Sequence, residues 1–235
     1  MSGLNDPARV RAQYATEVNL HTRLSVWHPT SDGRDPATVA LDEIRELEPG
    51  RVLEVGCGIG AFAARVLDAL PGVDLVATDQ SPRLVELTAA RGVPTRLADI
   101  ESLPFEDDSF DLVAAMWMLY HVPDLKRGLG EVRRVLRPGG TLVAVTNGDQ
   151  HLADLRRAAG GPLAVTGFSS ENGGAALGPH FTDVHREDLA TRAIFADHAA
   201  ALAYLQSFEE PVAWDLPPFD GPREYAGHVT VFVAR

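Results

Sequence analysis

The 235-residue chain contains one cysteine, Cys57, and one lysine, Lys126. A single thiol excludes an intrachain disulfide and any zinc site built on several thiolates. There is no run of basic residues, and the formal net charge is −12. Because phosphate binding rests on clustered Lys and Arg, this balance argues against a non-specific nucleic-acid partner. No apolar run approaches the roughly 18 residues that a membrane helix needs. The opening MSGLNDPARV mixes charges without an apolar stretch, so it does not read as a signal peptide. These absences lead to the expectation of a cytoplasmic protein with no membrane or nucleic-acid partner and no metal. The oligomeric state stays open.

What is present is α/β text of ordinary apolar and charged content, long enough to bury a sizeable core. Residues 8–29 are helix-prone, with Tyr14, Val18, Leu24 and Trp27 as candidate buried positions, until Pro29 and Gly33 break the pattern. A second helix starts with Asp35 as N-cap and Pro36 at its first position, carries Val39, Ile44 and Leu47 on one side, and stops at Pro49-Gly50. Strands are expected at Val52–Val55, in DLVATD, around Thr95–Ala98, in FDLVAAMWM and in GGTLVAVTN, with helices between them. Strands separated by helices of about ten residues imply right-handed crossovers and a parallel sheet. After Asn147 come a helix in DQHLADLRRAAGG, a glycine-rich loop or lid from Gly160 to Pro179, a strand in DLATRAIF, a helix in DHAAALAYLQSF and a closing strand in HVTVFVAR.

The densest information lies in RVLEVGCGIGAF, where an apolar strand runs into Gly56, Gly58 and Gly60. Glycine belongs where the backbone turns sharply or a ligand must approach without a Cβ in the way. A helix starting just after such a turn points free N–H groups at that ligand. Gly56, Gly58 and Ala61 also satisfy a dinucleotide fingerprint. Glu54, two residues before the first glycine, favours instead a ligand with an ammonium group near the turn. Cys57 reads as a small residue beside that ligand rather than as a nucleophile, since no electropositive neighbour would activate its thiol. Asp79, 21 residues after Gly58, closes the second strand, where a carboxylate can accept both ribose hydroxyls. Asp99 follows the third strand in position to accept from an adenine amino group, with Ile100 and Leu84 packing the ring. These acids alone admit both a nicotinamide dinucleotide and another adenosine-containing ligand.

The segments VLEVGCGIG, ATDQSPRLVELTAARG, LADIESLPFEDDSFDLVAAMWMLYHVPD and LRPGGTLVAVT stand in one order and spacing. Together they resemble the class I S-adenosylmethionine-dependent methyltransferases, closest to the small-molecule "type 11" branch. The resemblance covers Val52 to Thr146 and extends more weakly to Tyr14, Asn19-Leu20 and Arg23 and to Phe168–Gly173. It implies a Rossmann-like fold with a mostly parallel seven-stranded sheet whose last strand is antiparallel. It further implies a single domain of 235 residues: an N-terminal helical cap (1–50), a cofactor-binding core (51–147), a lid and substrate region (148–188) and C-terminal elements that complete the sheet (189–235).

The cofactor implied is S-adenosyl-L-methionine, with S-adenosyl-L-homocysteine as product. Its implied contacts are Glu54, Gly56, Cys57, Gly58 and Gly60 on the methionine side, Asp79 and Gln80 at the ribose, Leu84, Asp99 and Ile100 around adenine, and Met116. Arg23 is a candidate partner for the cofactor carboxylate, since arginine makes bidentate carboxylate contacts, and Tyr14 a candidate cover from the same cap. On the acceptor side, Trp117 and Tyr120 offer π faces to substrate, with core packing as the equal alternative. His121 is the candidate general base, because imidazole titrates near neutral pH, with fixing of the turn as the competing role. The partner expected is a small-molecule substrate, a secondary metabolite presenting an O, N or C nucleophile. The alternatives are a non-catalytic cofactor-binding module and an NAD-linked oxidoreductase; the latter lacks room for a second substrate domain and a lysine-based catalytic set.

Overall fold

The computed structural model describes Asn5, Val10 and residues 18–30, 32–208 and 210–235. Tyr14 lies outside the described residues. In chain order the elements are α1 (Val18–Leu24), β1 (Trp27–His28), α2 (Pro36–Leu47), β2 (Arg51–Val55), α3 (Ala61–Ala69), β3 (Asp74–Asp79), α4 (Pro82–Ala89), β4 (Thr95–Leu97) and β5 (Phe110–Met116). A 3₁₀ turn (Leu119–His121) leads to α5 (Leu125–Val135), β6 (Leu136–Asn147), α6 (Ala153–Ala158), α7 (Gly173–Leu177), β7 (Val184–Phe195), α8 (His198–Gln206) and β8 (Arg223–Ala234).

These strands form one sheet in the order β1-β7-β8-β6-β5-β2-β3-β4. β2 pairs in parallel with both β3 and β5, and β5 pairs in parallel with β6. Helices cover both faces of this centre, which is why β2 and β5 are buried along nearly their whole length rather than at alternate positions. The last strand, β8, is antiparallel to both β6 and β7, as expected. Strand order reverses between β2 and β5, and in open α/β sheets such a switch point opens a crevice at the carboxyl ends of the strands.

Several expectations are corrected. The sheet has eight strands, not seven, because Trp27–His28 pairs with the β7 edge at Ala193 and Arg192. The first helix therefore ends at Leu24 and does not run on to Pro29. Val18 and Leu24, expected to be buried, are 66% and 52% exposed. The glycine-rich stretch 160–179 contains α7, and within it Phe168, Ser169, Ser170 and Leu177 are buried. The start of α2 follows the text closely. Asp35 accepts from the Thr38 backbone N–H, and Ile44 is fully buried beneath the sheet.

Candidate active site

The strand ends open into a cavity of about 1260 Å³. That exceeds what one small ligand normally fills and suits two lying side by side. Its first side is built from the ends of β2, β3 and β4. After β2 the chain turns through three glycines, each at positive φ. Two of the three answer to protein packing. A Cβ on Gly56 would lie 2.7 Å from Met118 Cγ, and one on Gly60 would lie 2.5 Å from Thr88 Cγ2. A Cβ on Gly58 would meet no described residue nearer than Leu20, at 4.0 Å. Gly58 is thus the position left open to a ligand, and α1 covers it through Leu20. Gly60, expected among the cofactor contacts, does not line the cavity; it is the left-handed N-cap of α3 and packs on Thr88.

Gly60→Ala is expected to cost about 2–4 kcal/mol of folding stability, from αL strain plus overpacking against Thr88. Gly58→Ala carries only the backbone strain, about 1–2 kcal/mol, and loses ligand affinity instead. Urea denaturation alongside ligand titration separates the two variants.

The turn is tied down by hydrogen bonds. Asp79 Oδ2 accepts from Gly58 N–H at 3.0 Å and Oδ1 from Ser81 N–H at 2.9 Å, while the Thr88 hydroxyl donates to Gly58 O at 2.9 Å. Burial holds the Asp79 carboxyl above its ordinary value despite these donors. Glu54 is 2% exposed, and burial pushes its carboxyl up to about 8, with the nearby Asp79 charge adding to the shift. It accepts from the Ala63 backbone at the start of α3, yet its Oε2 has no hydrogen-bond partner among the described residues. Burial pushes the Cys57 thiol up to about 12, so it carries no thiolate at neutral pH.

Gln80, Leu84, Asp99 and Ile100 also line the cavity; Ile100 and Leu84 are buried, and Asp99 is exposed and accepts from the Glu101 backbone at 2.9 Å.

The second side comes from β5 to β8 and α8. Met116, Trp117, Tyr120 and His121 all line it. Leu119, between them, is core. Trp117 stands at φ +52°, a left-handed conformation that is an outlier for so bulky a residue and marks a backbone over-determined by its surroundings. Its backbone N–H donates to Val145 O at 2.9 Å and its indole Nε1–H to Asn147 Oδ1 at 3.0 Å. Tyr120 and His121 rings lie 4.5 Å apart on the 3₁₀ turn. Arg23 reaches the cavity too, but its guanidinium lies over the Phe208 ring at 5.0 Å and donates to Ser207 O at 3.4 Å.

Reading by motif missed the residues that complete this wall. Asn147, His151, Tyr204 and Phe208 line both the large cavity and a small adjoining recess. Asn147 carried a readable signal, since it ends a strand on the side where ligands bind. The others come from elements that only the fold brings together. Burial pushes the His151 imidazole down to about 4, so it is neutral at physiological pH. Its Nδ1 lies 2.9 Å from His228 O, and its ring rests 4.6 Å from that of Trp27. Among the described cavity-lining residues that follow Met116 in the chain none carries a carboxylate or a permanent positive charge, so the charge on this wall is the Arg23 guanidinium over Phe208.

Known proteins share part of this sequence and the fold that carries the site. Residues 53–144 match the family model described as a methyltransferase domain. The chain is 35% identical over 112 residues to a demethylmenaquinone methyltransferase of Thermus thermophilus, covering 45% of this chain and 51% of that protein. It is 36% identical over 156 residues to a 23S rRNA (guanine(748)-N(1))-methyltransferase of Streptomyces fradiae, covering 65% and 52%. The chain thus spans about half the length of these relatives. Among solved structures, a SAM-dependent methyltransferase of Thermotoga maritima shares the fold at TM-score 0.59 and 18% identity, over 98% of this chain and 99% of that one.

Proposed function

We propose that this chain, whose residues 53–144 match the methyltransferase-domain family model, is a class I S-adenosylmethionine-dependent methyltransferase that methylates a small-molecule nucleophile. The observation that carries the reading is Glu54 Oε2, a buried carboxylate oxygen without a partner among the described residues, beside the open space at Gly58. A buried acceptor left unpaired is costly, and an amino-acid ammonium satisfies it. A pyrophosphate would instead meet an acid at its closest approach, which weighs against the NAD-linked alternative.

When bound, S-adenosylmethionine supplies an electrophilic methyl carbon whose bond to sulfur breaks as the nucleophile's lone pair forms the new one. In this reading Glu54 holds the ammonium, Asp79 and Gln80 the ribose, and Leu84, Asp99 and Ile100 the adenine. Met116 separates the cofactor side from the acceptor side. Trp117 and Tyr120 position the acceptor, which contributes by orientation and exclusion of water. His121 takes the acceptor's proton. Replacing His121 by alanine is then expected to lower kcat by about 10²–10⁴-fold without changing cofactor affinity; an unchanged kcat would assign it to the turn alone.

The substrate class rests on the catalytic wall and on charge. The Thermus relative is named for demethylmenaquinone, and the aromatic acceptor side suits a small organic molecule. The Streptomyces relative supports a second reading, methylation of a structured RNA, which the net charge of −12 disfavours. No described helix is long and apolar enough to cross a membrane; the cytoplasm is the compartment of this proposal.

Incubation with methyl-labelled S-adenosylmethionine, a metabolite extract and, separately, ribosomal RNA decides among these readings. Label in the low-mass fraction is the expected result. Label in RNA overturns it in favour of the second reading, and cofactor binding without any transfer favours the non-catalytic module.

A further inference from the structure

The orientation of one amide sets the hydrogen-bond polarity of the acceptor side. An indole N–H can only donate, so the contact from Trp117 Nε1 at 3.0 Å requires the Asn147 side chain to present its oxygen to Trp117. The amide nitrogen is thereby turned the other way, and its two N–H groups have no partner among the described residues, while Asn147 lines both the cavity and its recess. The fixed backbone of Trp117, strained at φ +52° and tied to Val145 O, leaves the indole little freedom to release the amide.

Around these donors the wall is aromatic. Trp27, Trp117, Tyr120, Tyr204 and Phe208 line the cavity, and Trp27, Tyr204 and Phe208 interlock edge to face at 6.2 and 5.3 Å. No carboxylate faces the large cavity from this side among the described residues. Glu210, in the adjoining recess, is paired with Arg156 through Oε2 at 2.5 Å, and its buried Oε1 has no hydrogen-bond partner among the described residues. A cationic amine on the wall of the large cavity would therefore find no anion and would meet the Arg23 guanidinium over Phe208, whereas an oxygen finds a pair of fixed donors.

We propose that Asn147 is the specificity-determining residue of the acceptor site, donating to the oxygen of a planar aromatic alcohol, and that Trp117 positions it. This deepens the methyltransferase reading and rests on it. A site built to donate to an oxygen rejects a ligand that presents only donors, because the N–H groups that the bound ligand covers are then left unpaired. Asn147→Asp keeps an oxygen for Trp117 but replaces the cavity-facing N–H₂ by a second oxygen, which reverses the polarity. Trp117→Phe keeps the ring and frees the amide to turn.

The test uses the S-adenosylhomocysteine-loaded protein and two fluorescent probes, 2-naphthol and 2-naphthylmethylammonium, titrated at pH 7.5. The expected result is that the native protein prefers 2-naphthol by at least about tenfold, that Asn147→Asp inverts the preference, and that Trp117→Phe erodes it several-fold. S-adenosylhomocysteine affinity, measured first by calorimetry, should stay within about twofold in both variants. Equal affinity for the two probes, failure of both to bind, or an unchanged preference in Asn147→Asp overturns the proposal. Failure of the native protein to bind S-adenosylhomocysteine instead overturns the cofactor reading on which it rests. Circular dichroism of each variant excludes misfolding as the cause of lost binding.

Discussion

Replacing Glu54 by glutamine is expected to weaken S-adenosylhomocysteine binding at least about 100-fold while making the ligand-free protein more stable in mildly alkaline solution. The first effect follows from breaking a desolvated charge pair, which costs about 2–5 kcal/mol when one partner is truncated. The second follows from proton linkage. The Glu54 carboxyl moves from 4.5 to about 8 on folding, chiefly through burial. Between those values the folded chain holds a proton that the unfolded chain has lost. Stability from this group is therefore fully present below pH 4.5, declines as pH rises and is lost above about 8.

Glutamine stays neutral and removes that slope. Urea titrations of the two proteins at pH 5 and pH 8.5 should show glutamine gaining on the native chain by a margin on the order of 2–4 kcal/mol at the higher pH. Adding S-adenosylhomocysteine should restore the native protein's stability at pH 8.5 and do little for the variant. Parallel pH profiles would mean that Glu54 is not the strained acid of the ligand site. On the proposed role of Glu54, the native side chain costs stability that the ligand's ammonium offsets.

Asp79→Ala is expected to abolish binding of the nucleoside part, again by at least about 100-fold, and to lower stability by about 2–3 kcal/mol as two partly buried backbone donors lose their acceptor. Those donors are Gly58 N–H and Ser81 N–H, so the variant loosens the glycine turn as well as the ribose contact. Free adenosine distinguishes the two acids. Asp79→Ala should fail to bind adenosine, whereas Glu54→Gln should bind it as the native protein does, because adenosine has no ammonium for Glu54 to meet. Asp79→Asn, which keeps one acceptor oxygen, should fall between. Retained adenosine binding in Asp79→Ala would move the ribose site elsewhere.

Much of the nucleotide side was legible because its determinants are local. A strand, a glycine turn and a helix start lie within Arg51–Ala69, and Asp79 and Asp99 fall at or just beyond the ends of the next two strands. Parallel strands joined by short helices leave little choice of topology, so strand ends share one edge. Even there, spacing did not separate the glycine that faces open space from those that face Met118 and Thr88, since all three adopt positive φ.

The acceptor side was legible only in part. Met116, Trp117, Tyr120 and His121 follow a strand end and were found by position. Asn147, His151 and Tyr204 come from β6, the turn before α6 and α8, and meet because β7 and β8 fold back antiparallel beside β6. β1 was missed for the same reason: two residues carry no periodicity, and their strand conformation is imposed by the open edge of β7.

The amino-acid sequence by itself determined the α/β rhythm, the glycine turn and the acids that name the cofactor, because each depends on neighbours within one crossover. The tertiary structure alone decided which glycine is open, which carboxylate oxygen is unpaired and which way the Asn147 amide points. Those properties are relations between groups far apart in the chain, and burial and hydrogen-bond partnership exist only once the chain has packed.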